Sequence, residues 1–162
     1  MKSGFPFLDR RGVTLLELLI ALTILSILAA AIMPLAEVTV RRHKELELRE
    51  SLRLVRGAID AYKEAYEEAV RKQKIIPDAE ETGYPKTLED LVTGSRFGDL
   101  YPYQRKFLRR IPQDPMDRDG RGWGLRSHAD EADTENWGGE DVYDIYSQNE
   151  GTALDGSRYR DW

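Results

Sequence analysis

An uninterrupted apolar stretch near the amino terminus constrains this chain more than any other feature. Between Val13 and Ala36 the sequence contains a single charged residue, Glu17. A helix of this length is about 36 Å long, which is enough to cross a hydrocarbon core of about 30 Å with some tilt. Arg10 and Arg11 stand just before the stretch, and basic flanks stay cytoplasmic. We therefore expect one membrane-spanning helix, with the residues after it on the outer side.

The same stretch has a second interpretation as an ordinary secretory signal peptide. A basic segment, an apolar core and the small residues Ala29–Ala31 are typical of such signals. Cleavage after Ala31 would release a soluble secreted binding domain that begins at Ile32. Glu17 argues against this interpretation, because a charge inside the apolar core weakens translocation. A helical pattern that continues beyond the cut argues against it as well.

A one-sided helical pattern follows the apolar stretch. Seven apolar or aromatic residues recur at alternating spacings of four and three, the repeat of one helical face. The charged positions between them, such as Glu45 and Arg49, are expected to form a solvated face. The pattern predicts a helix that continues to about Lys74, with Pro77 beyond its end. Pro34 should kink or weaken this helix, because proline donates no backbone hydrogen bond. The repeating residues are Leu48, Leu52, Val55, Ile59, Tyr62, Tyr66 and Ala69.

Turns and short strands dominate the rest of the chain. A short helix is predicted to open near Thr87. The segments Trp123–Ser127 and Asp141–Ser147 are rich in aromatic and β-branched residues, which predicts an antiparallel hairpin. The segment Asp155–Trp162 is expected to add an edge strand. One face of such a sheet needs a cover, and the one-sided half of the helix can provide it.

The predicted fold class is therefore α+β. It consists of a long amino-terminal helix, transmembrane in its first half and amphipathic in its second, packed on a small antiparallel β-sheet.

Candidate catalytic groups are missing from the sequence, and we expect a protein that is not an enzyme. The chain contains no phosphate-binding loop, dinucleotide fingerprint or serine elbow. Its two histidines, His43 and His128, do not have metal-ligand spacing, and it has no cysteine. A net charge of −5 argues against a nucleic-acid partner.

Two carboxylates near the carboxyl end are candidate metal ligands. Asp155 and Asp161 flank a turn in which Gly151 and Gly156 leave backbone carbonyls accessible. Hard oxygen ligands at a turn suit calcium. The residues leave two interpretations open, a calcium site or an ordinary polar turn. No cofactor is expected to be required, and calcium is the one candidate ion.

The amino-terminal segment resembles the leader of type IV pilins and of type II secretion pseudopilins. Gly12, the apolar Val13, Glu17 at the fifth place of the apolar run and Pro34 at its twenty-second stand where that family has its motif residues. The resemblance implies that a membrane-embedded prepilin peptidase cuts between Gly12 and Val13 and N-methylates Val13. Valine departs from the usual phenylalanine at this position. The resemblance also implies that Glu17 and Pro34 act in assembly.

The physical role of Glu17 fits this resemblance. A carboxylate in an apolar environment is costly unless it is paired. Cleavage would create one new cation, the α-ammonium group of Val13, four residues away. In a helical filament, a neighbouring subunit can place its Val13 ammonium against Glu17 and so set the axial register. The alternative is that Glu17 reaches the membrane interface or caps the helix amino terminus.

The rest of the chain resembles the major, G-type pseudopilins in the segments Gly83–Leu91, Ile111–Ser127 and Asp141–Ser147. The resemblance implies a homopolymer in the bacterial inner membrane with its carboxyl-terminal domain in the periplasm. It also implies four kinds of partner: the prepilin peptidase, minor pseudopilins, an inner-membrane assembly platform and an ATPase. G-type members often bind calcium in the carboxyl-terminal loop, and here Asn149–Gly151 replaces the usual Ala-Asp-Gly.

Four regions follow from this interpretation. We expect a prepilin leader in residues 1–12, a transmembrane assembly helix in 13–36, an amphipathic helix in 37–76 and a globular β-sheet region in 77–162. The expected function is a structural subunit of a periplasmic filament that drives type II protein export. A type IV pilus or DNA-uptake pilin shares the leader residues and remains an alternative.

Overall fold

A computed structural model describes most of the chain after the predicted leader. Gly12 and the leader residues before it lie outside the described residues. The described ranges are 13–78, 81–131, 133–134 and 136–162. They fall into two compact units, one that ends at Val40 and one that spans Arg41–Trp162. In chain order the elements are α1 (Leu15–Arg71), α2 (Leu88–Thr93), β1 (Trp123–Arg126), β2 (Asp144–Ser147) and a 3-10 helix (Tyr159–Asp161).

The first unit contains the apolar part of α1. Its large apolar side chains are exposed on all sides of the helix, as the predicted membrane segment requires. Its hydroxyl groups are satisfied internally: Thr23, Ser26 and Thr39 each donate to the carbonyl oxygen four residues earlier, at 2.7, 2.8 and 2.9 Å. By length and composition α1 can cross a membrane. The helix passes through Pro34 without interruption, so the weakening expected there does not end it.

α1 ends three residues before the predicted Lys74. The Lys74 amide donates to the Ala69 carbonyl at 2.8 Å, and the Gln73 amide donates to the Val70 carbonyl at 2.9 Å. Gln73 has a φ of 57°. This pair of bonds around a left-handed residue is the Schellman arrangement that stops helices. It satisfies two carbonyls that would otherwise lack partners.

The second unit is built around the one-sided half of α1, as the repeat predicts. Leu48, Val55 and Ile59 are fully buried. They belong to the same apolar cluster as Leu91 of α2 and Ile145 of β2. Burial of these side chains is the main driving force for packing the helix on the sheet. The predicted α+β arrangement is therefore confirmed.

The predicted hairpin is present but short. β1 and β2 pair antiparallel, with Trp123 opposite Ser147 and Arg126 opposite Asp144. Gly124 of β1 packs so closely on the Tyr146 ring that an added Cβ would lie 2.3 Å from a ring atom. A side chain at this position would therefore displace the ring.

The prediction of an edge strand in Asp155–Trp162 is wrong. The segment turns back on itself at Gly156, where the Ala153 amide donates to the Ser157 carbonyl at 2.7 Å. It then forms the 3-10 helix, which buries the Tyr159 side chain. A tight turn followed by a helical turn leaves no extended length that could pair with β2.

Candidate functional site

The start of α1 is capped by Thr14. Its hydroxyl oxygen accepts the Glu17 amide at 3.2 Å, and its carbonyl oxygen accepts the Leu18 amide at 3.1 Å. Both contacts satisfy donors that a helix amino terminus would otherwise leave free. A threonine three residues before a glutamate is a recognisable capping signal, so this cap can be predicted from the sequence.

The Glu17 carboxylate is exposed in the first turn of α1. Within the described part of the chain, no cation pairs with it and no donor reaches it. In the capping bond, the Glu17 backbone amide donates to the Thr14 hydroxyl oxygen. The Glu17 carboxylate takes no part in it. The position in the first turn is electrostatically favourable, because the helix dipole is positive there.

The leader-motif residues within the described ranges lie along one segment but do not form a compact site. Val13 is 64% exposed and directly precedes the helix. No hydrogen bond or ion pair joins Val13, Glu17 and Pro34 within the described chain. No ammonium group among the described residues therefore pairs with Glu17.

The two candidate calcium ligands are both engaged by arginine. Asp155 accepts a bond from Arg49 at 2.8 Å and two from Ser157, through its amide at 3.0 Å and its hydroxyl at 2.5 Å. The Ser157 hydroxyl and amide, and then Arg49, lower the pKa of Asp155. Asp161 pairs with Arg158, whose Nε lies 3.0 Å from the carboxylate. The two carboxylates do not share a partner among these bonds.

This arrangement does not fit a divalent cation as it stands. Among the described residues, no group of three or more histidine, aspartate or glutamate side chains is placed to hold a metal. Calcium prefers six to eight oxygen ligands, and the neighbouring guanidinium of Arg49 would repel it. Calcium would have to displace Arg49 from Asp155 first. The calcium site therefore stays a prediction.

Arginines of α1 hold the carboxyl-terminal residues in place. The Arg49 guanidinium lies 4.0 Å from the centroid of the Trp162 ring, a cation–π contact. Arg56 donates to the Asp144 carboxylate at 2.6 Å, to the Ile145 carbonyl at 3.0 Å and to the Trp162 oxygen at 2.7 Å. One face of α1 thus contacts both β2 and Trp162.

Glu45 corrects the prediction of a uniformly solvated helix face. Its side chain is buried, and its Oε1 accepts the Leu154 amide and the Tyr159 hydroxyl, both at 2.9 Å. Arg41 donates to the Tyr159 hydroxyl at 3.1 Å. Burial raises the pKa of Tyr159, and the bond to Tyr159 raises the pKa of Arg41. Arg41 also pairs with Glu45 at 3.6 Å within the helix, but the two hydrogen-bond donors to Glu45 lie more than 100 residues away, so no local pattern indicates its burial.

Comparison with known protein families supports the interpretation of the leader. Residues 8–33 match the family described as the prokaryotic N-terminal methylation motif. No curated protein sequence and no solved structure is significantly similar to the chain. The matched motif is the prepilin signal of type IV pilin-like proteins, which are cut by a prepilin peptidase and assemble into filaments. The motif and the apolar helix together indicate a type IV pilin-like structural subunit that is anchored in a membrane.

Proposed function

We propose that the protein is a pseudopilin of a type II secretion system, an inner-membrane subunit that polymerises into a periplasmic filament and drives protein export. The observation that carries the proposal is the methylation motif at the start of an exposed apolar helix, whose first turn has a carboxylate with no partner among the described residues. A charged side chain makes insertion of a helix into the membrane more costly. A carboxylate at this position therefore indicates a role beyond anchoring.

The proposed role of Glu17 is to set the register between subunits. Processing after Gly12 exposes the α-ammonium group of Val13, and methylation leaves its positive charge in place. In the filament, the Val13 ammonium of one subunit pairs with Glu17 of its neighbour. Any other register leaves two charges buried without partners, which is strongly unfavourable. The lack of a partner for Glu17 among the residues between 13 and 162 that the structure describes supports this role.

The proposed function implies a set of partners. The prepilin peptidase processes the chain at Gly12, and an inner-membrane platform with its ATPase adds subunits to the filament. Minor pseudopilins are further partners of the filament in this proposal. The second unit, Arg41–Trp162, lies in the periplasm in this proposal, and growth of the filament pushes cargo toward an outer-membrane pore.

A type IV pilus or DNA-uptake pilin is the second candidate, since it uses the same methylation motif. The two roles differ in what the filament does. A pilus is displayed on the cell surface and retracts, whereas a pseudopilus stays within the periplasm. The net charge of −5 favours the secretion role over DNA uptake.

The mature amino terminus provides the first test. The full-length gene is expressed in a bacterium that contains a prepilin peptidase, and the membrane protein is analysed by intact mass and terminal sequencing. We expect a chain that starts at Val13 and carries one methyl group. Gly12→Leu should block processing, because the peptidase must approach the chain closely at the cut. A mature protein that starts at Ile32 would instead support the soluble secreted domain.

A second measurement separates secretion from a pilus. Envelope fractions of the native host are searched for crosslinked filaments, and whole cells are labelled with antibody to the second unit. Export of secreted enzymes that stops when the gene is deleted, without surface filaments, supports the pseudopilin. Surface filaments with intact export would support the pilus.

A further inference from the structure

A short stretch of the second unit is basic in a chain that is acidic as a whole. Between Ser95 and Arg110 the sequence has five arginines or lysines and one carboxylate, although the whole chain has a net charge of −5. We call residues 95–110 the basic loop. Arg96 pairs with Asp99 at 3.1 Å, which occupies the one carboxylate with one of the cations. The loop therefore keeps a surplus of positive charge.

Three cations of the basic loop have no partner in the described part of the chain. Lys106, Arg109 and Arg110 are exposed, and none of them forms an ion pair or a side-chain hydrogen bond with another described residue. Arg105, in contrast, is held by the loop itself, since its guanidinium lies 5.1 Å from the centroid of the Tyr101 ring. Like charges that lie close together repel one another. An anionic partner would remove this repulsion.

The backbone of the basic loop is fixed by its own contacts. Ser95 and Arg105 close its base through two backbone hydrogen bonds, at 3.1 and 2.9 Å. The Phe97 side chain is 3% exposed and belongs to the apolar cluster that contains Ala65 and Ala69 of α1. A loop that is already fixed loses little conformational freedom when it binds a partner.

The loop also exposes an aromatic side chain near its cations. Tyr103 is 64% exposed, and its ring centroid lies 6.4 Å from that of Tyr101. Tyrosine and arginine are enriched in protein–protein interfaces relative to the rest of the protein surface. The combination of an exposed tyrosine with unpaired arginines therefore favours a protein partner of opposite charge.

The size of the basic stretch favours a short acidic segment over a long polyanion. The six residues from Arg105 to Arg110 extend over at most about 20 Å, so a segment of similar length can reach all of their cations. A long nucleic acid would also lie against the acidic remainder of the chain and would be repelled there.

We propose that the basic loop binds an acidic segment of a partner protein. Lys106, Arg109 and Arg110 contact the carboxylates of the segment, and Tyr103 packs on its chain. The inference goes beyond the proposed filament function and does not depend on it. The docking surface lies wholly within the second unit.

Binding of a defined peptide tests the proposal. The full-length protein in detergent micelles is titrated into a fluorescein-labelled peptide of alternating glutamate and serine. Arg109→Glu combined with Arg110→Glu should weaken binding about tenfold or more, because two attractive charge pairs become repulsive. Tyr103→Ala should also weaken binding, and Tyr103→Phe should retain it. Arg118→Glu makes the same kind of charge change at an exposed arginine outside the basic loop and serves as the control, with unchanged affinity.

Single-stranded DNA with the same number of negative charges as the peptide is measured in parallel. Tighter binding of the DNA than of the peptide would overturn the proposal in favour of a nucleic-acid partner. Equal affinity of wild type and the double arginine variant for the peptide would overturn it as well.

A crosslinking experiment in the native host then identifies the partner. A photoreactive benzoylphenylalanine is placed at position 103, and the captured peptides are sequenced by mass spectrometry. We expect a segment of another protein that contains more acidic than basic residues. Capture of a second copy of this chain, or no acidic segment among the captured peptides, would overturn the proposal.

Discussion

Arg49 and Asp155, 106 residues apart in sequence, form an ion pair of 2.8 Å that joins the helix to the carboxyl-terminal turn. Both side chains are about half exposed, so solvent screens the pair and it contributes little to stability. The pair is important because Asp155 is one of the two predicted calcium ligands. The Arg49 guanidinium is bound to this carboxylate, so calcium bound there would be in competition with it.

Calcium binding can be tested by removing that competition. If Asp155 is a ligand, Arg49→Met should increase the rise in melting temperature between chelator and excess calcium, since binding stabilises only the folded state. Asp155→Ala should abolish the rise in the same background. The measurement is thermal unfolding of the full-length protein in detergent. If calcium raises the melting temperature of neither wild type nor Arg49→Met, the ordinary polar turn is the correct interpretation.

Glu45 is expected to be the most sensitive polar residue of the second unit. Glu45→Ala removes the acceptor of the part-buried Leu154 amide and of the buried Tyr159 hydroxyl. Leaving the buried Tyr159 hydroxyl unpaired costs about 1–3 kcal/mol, and water can replace the bond to the Leu154 amide more easily. Glu45→Gln keeps an acceptor oxygen and should cost less. Denaturant unfolding of the full-length protein measures both, and equal stability of the alanine variant and wild type would show that water replaces these bonds.

Acid should destabilise the second unit through a small set of aspartates. The pKa of each is lowered mainly by bonds that it accepts: Asp117 from the Gly122 amide, Asp130 from the Ser127 amide and Asp155 from the Ser157 hydroxyl. Because the folded-state pKa lies below the ordinary value of 3.8, the stabilisation is present above that pH. It is lost as the pH falls through the lowered folded-state values.

These groups should therefore cause little change in the melting temperature between pH 7 and pH 5. Below about pH 4, the melting temperature should decrease. Asp117→Asn should make the decrease shallower, because Asp117 alone accepts the amides of Asp119, Gly120 and Gly122. Asp119→Asn, a change at an exposed neighbour, is the matched control. An identical acid profile for Asp117→Asn and wild type would contradict this origin of the acid sensitivity.

Local patterns predict the helix and its buried face because their causes are local. The spacing of Leu48, Val55 and Ile59 follows from helix geometry, and the hairpin follows from strand-forming residues on either side of a polar loop. The repeat predicts an end of α1 that is three residues too late, because Gln73 adopts a left-handed conformation that its residue type does not indicate. The prediction of an edge strand is wrong for a similar reason, because the turn at Gly156 sets the path of the residues that follow it.

The contacts of the carboxyl-terminal turn are beyond such reasoning. Glu45 and Arg49 look like solvated helix residues, and their partners are set by how the chain end folds back on α1.

The predicted assembly residues show the opposite case. Glu17 is unusual against its apolar surroundings, so the sequence alone singles it out, and the structure adds that its carboxylate has no partner in the described chain.

The most direct test of the account is the amount of filament formed by Glu17→Val, compared with wild type and Glu17→Asp at equal membrane levels. The variant should insert well, because a charge is removed from the apolar helix. Processing after Gly12 should persist, since the peptidase reads the junction. Filament recovered by shearing or crosslinking should be lost or disordered, because the Val13 ammonium stays buried without a partner at a cost of about 3–5 kcal/mol. Glu17→Asp should retain part of it. Normal filaments from Glu17→Val would contradict the account and return Glu17 to an interfacial or helix-capping role.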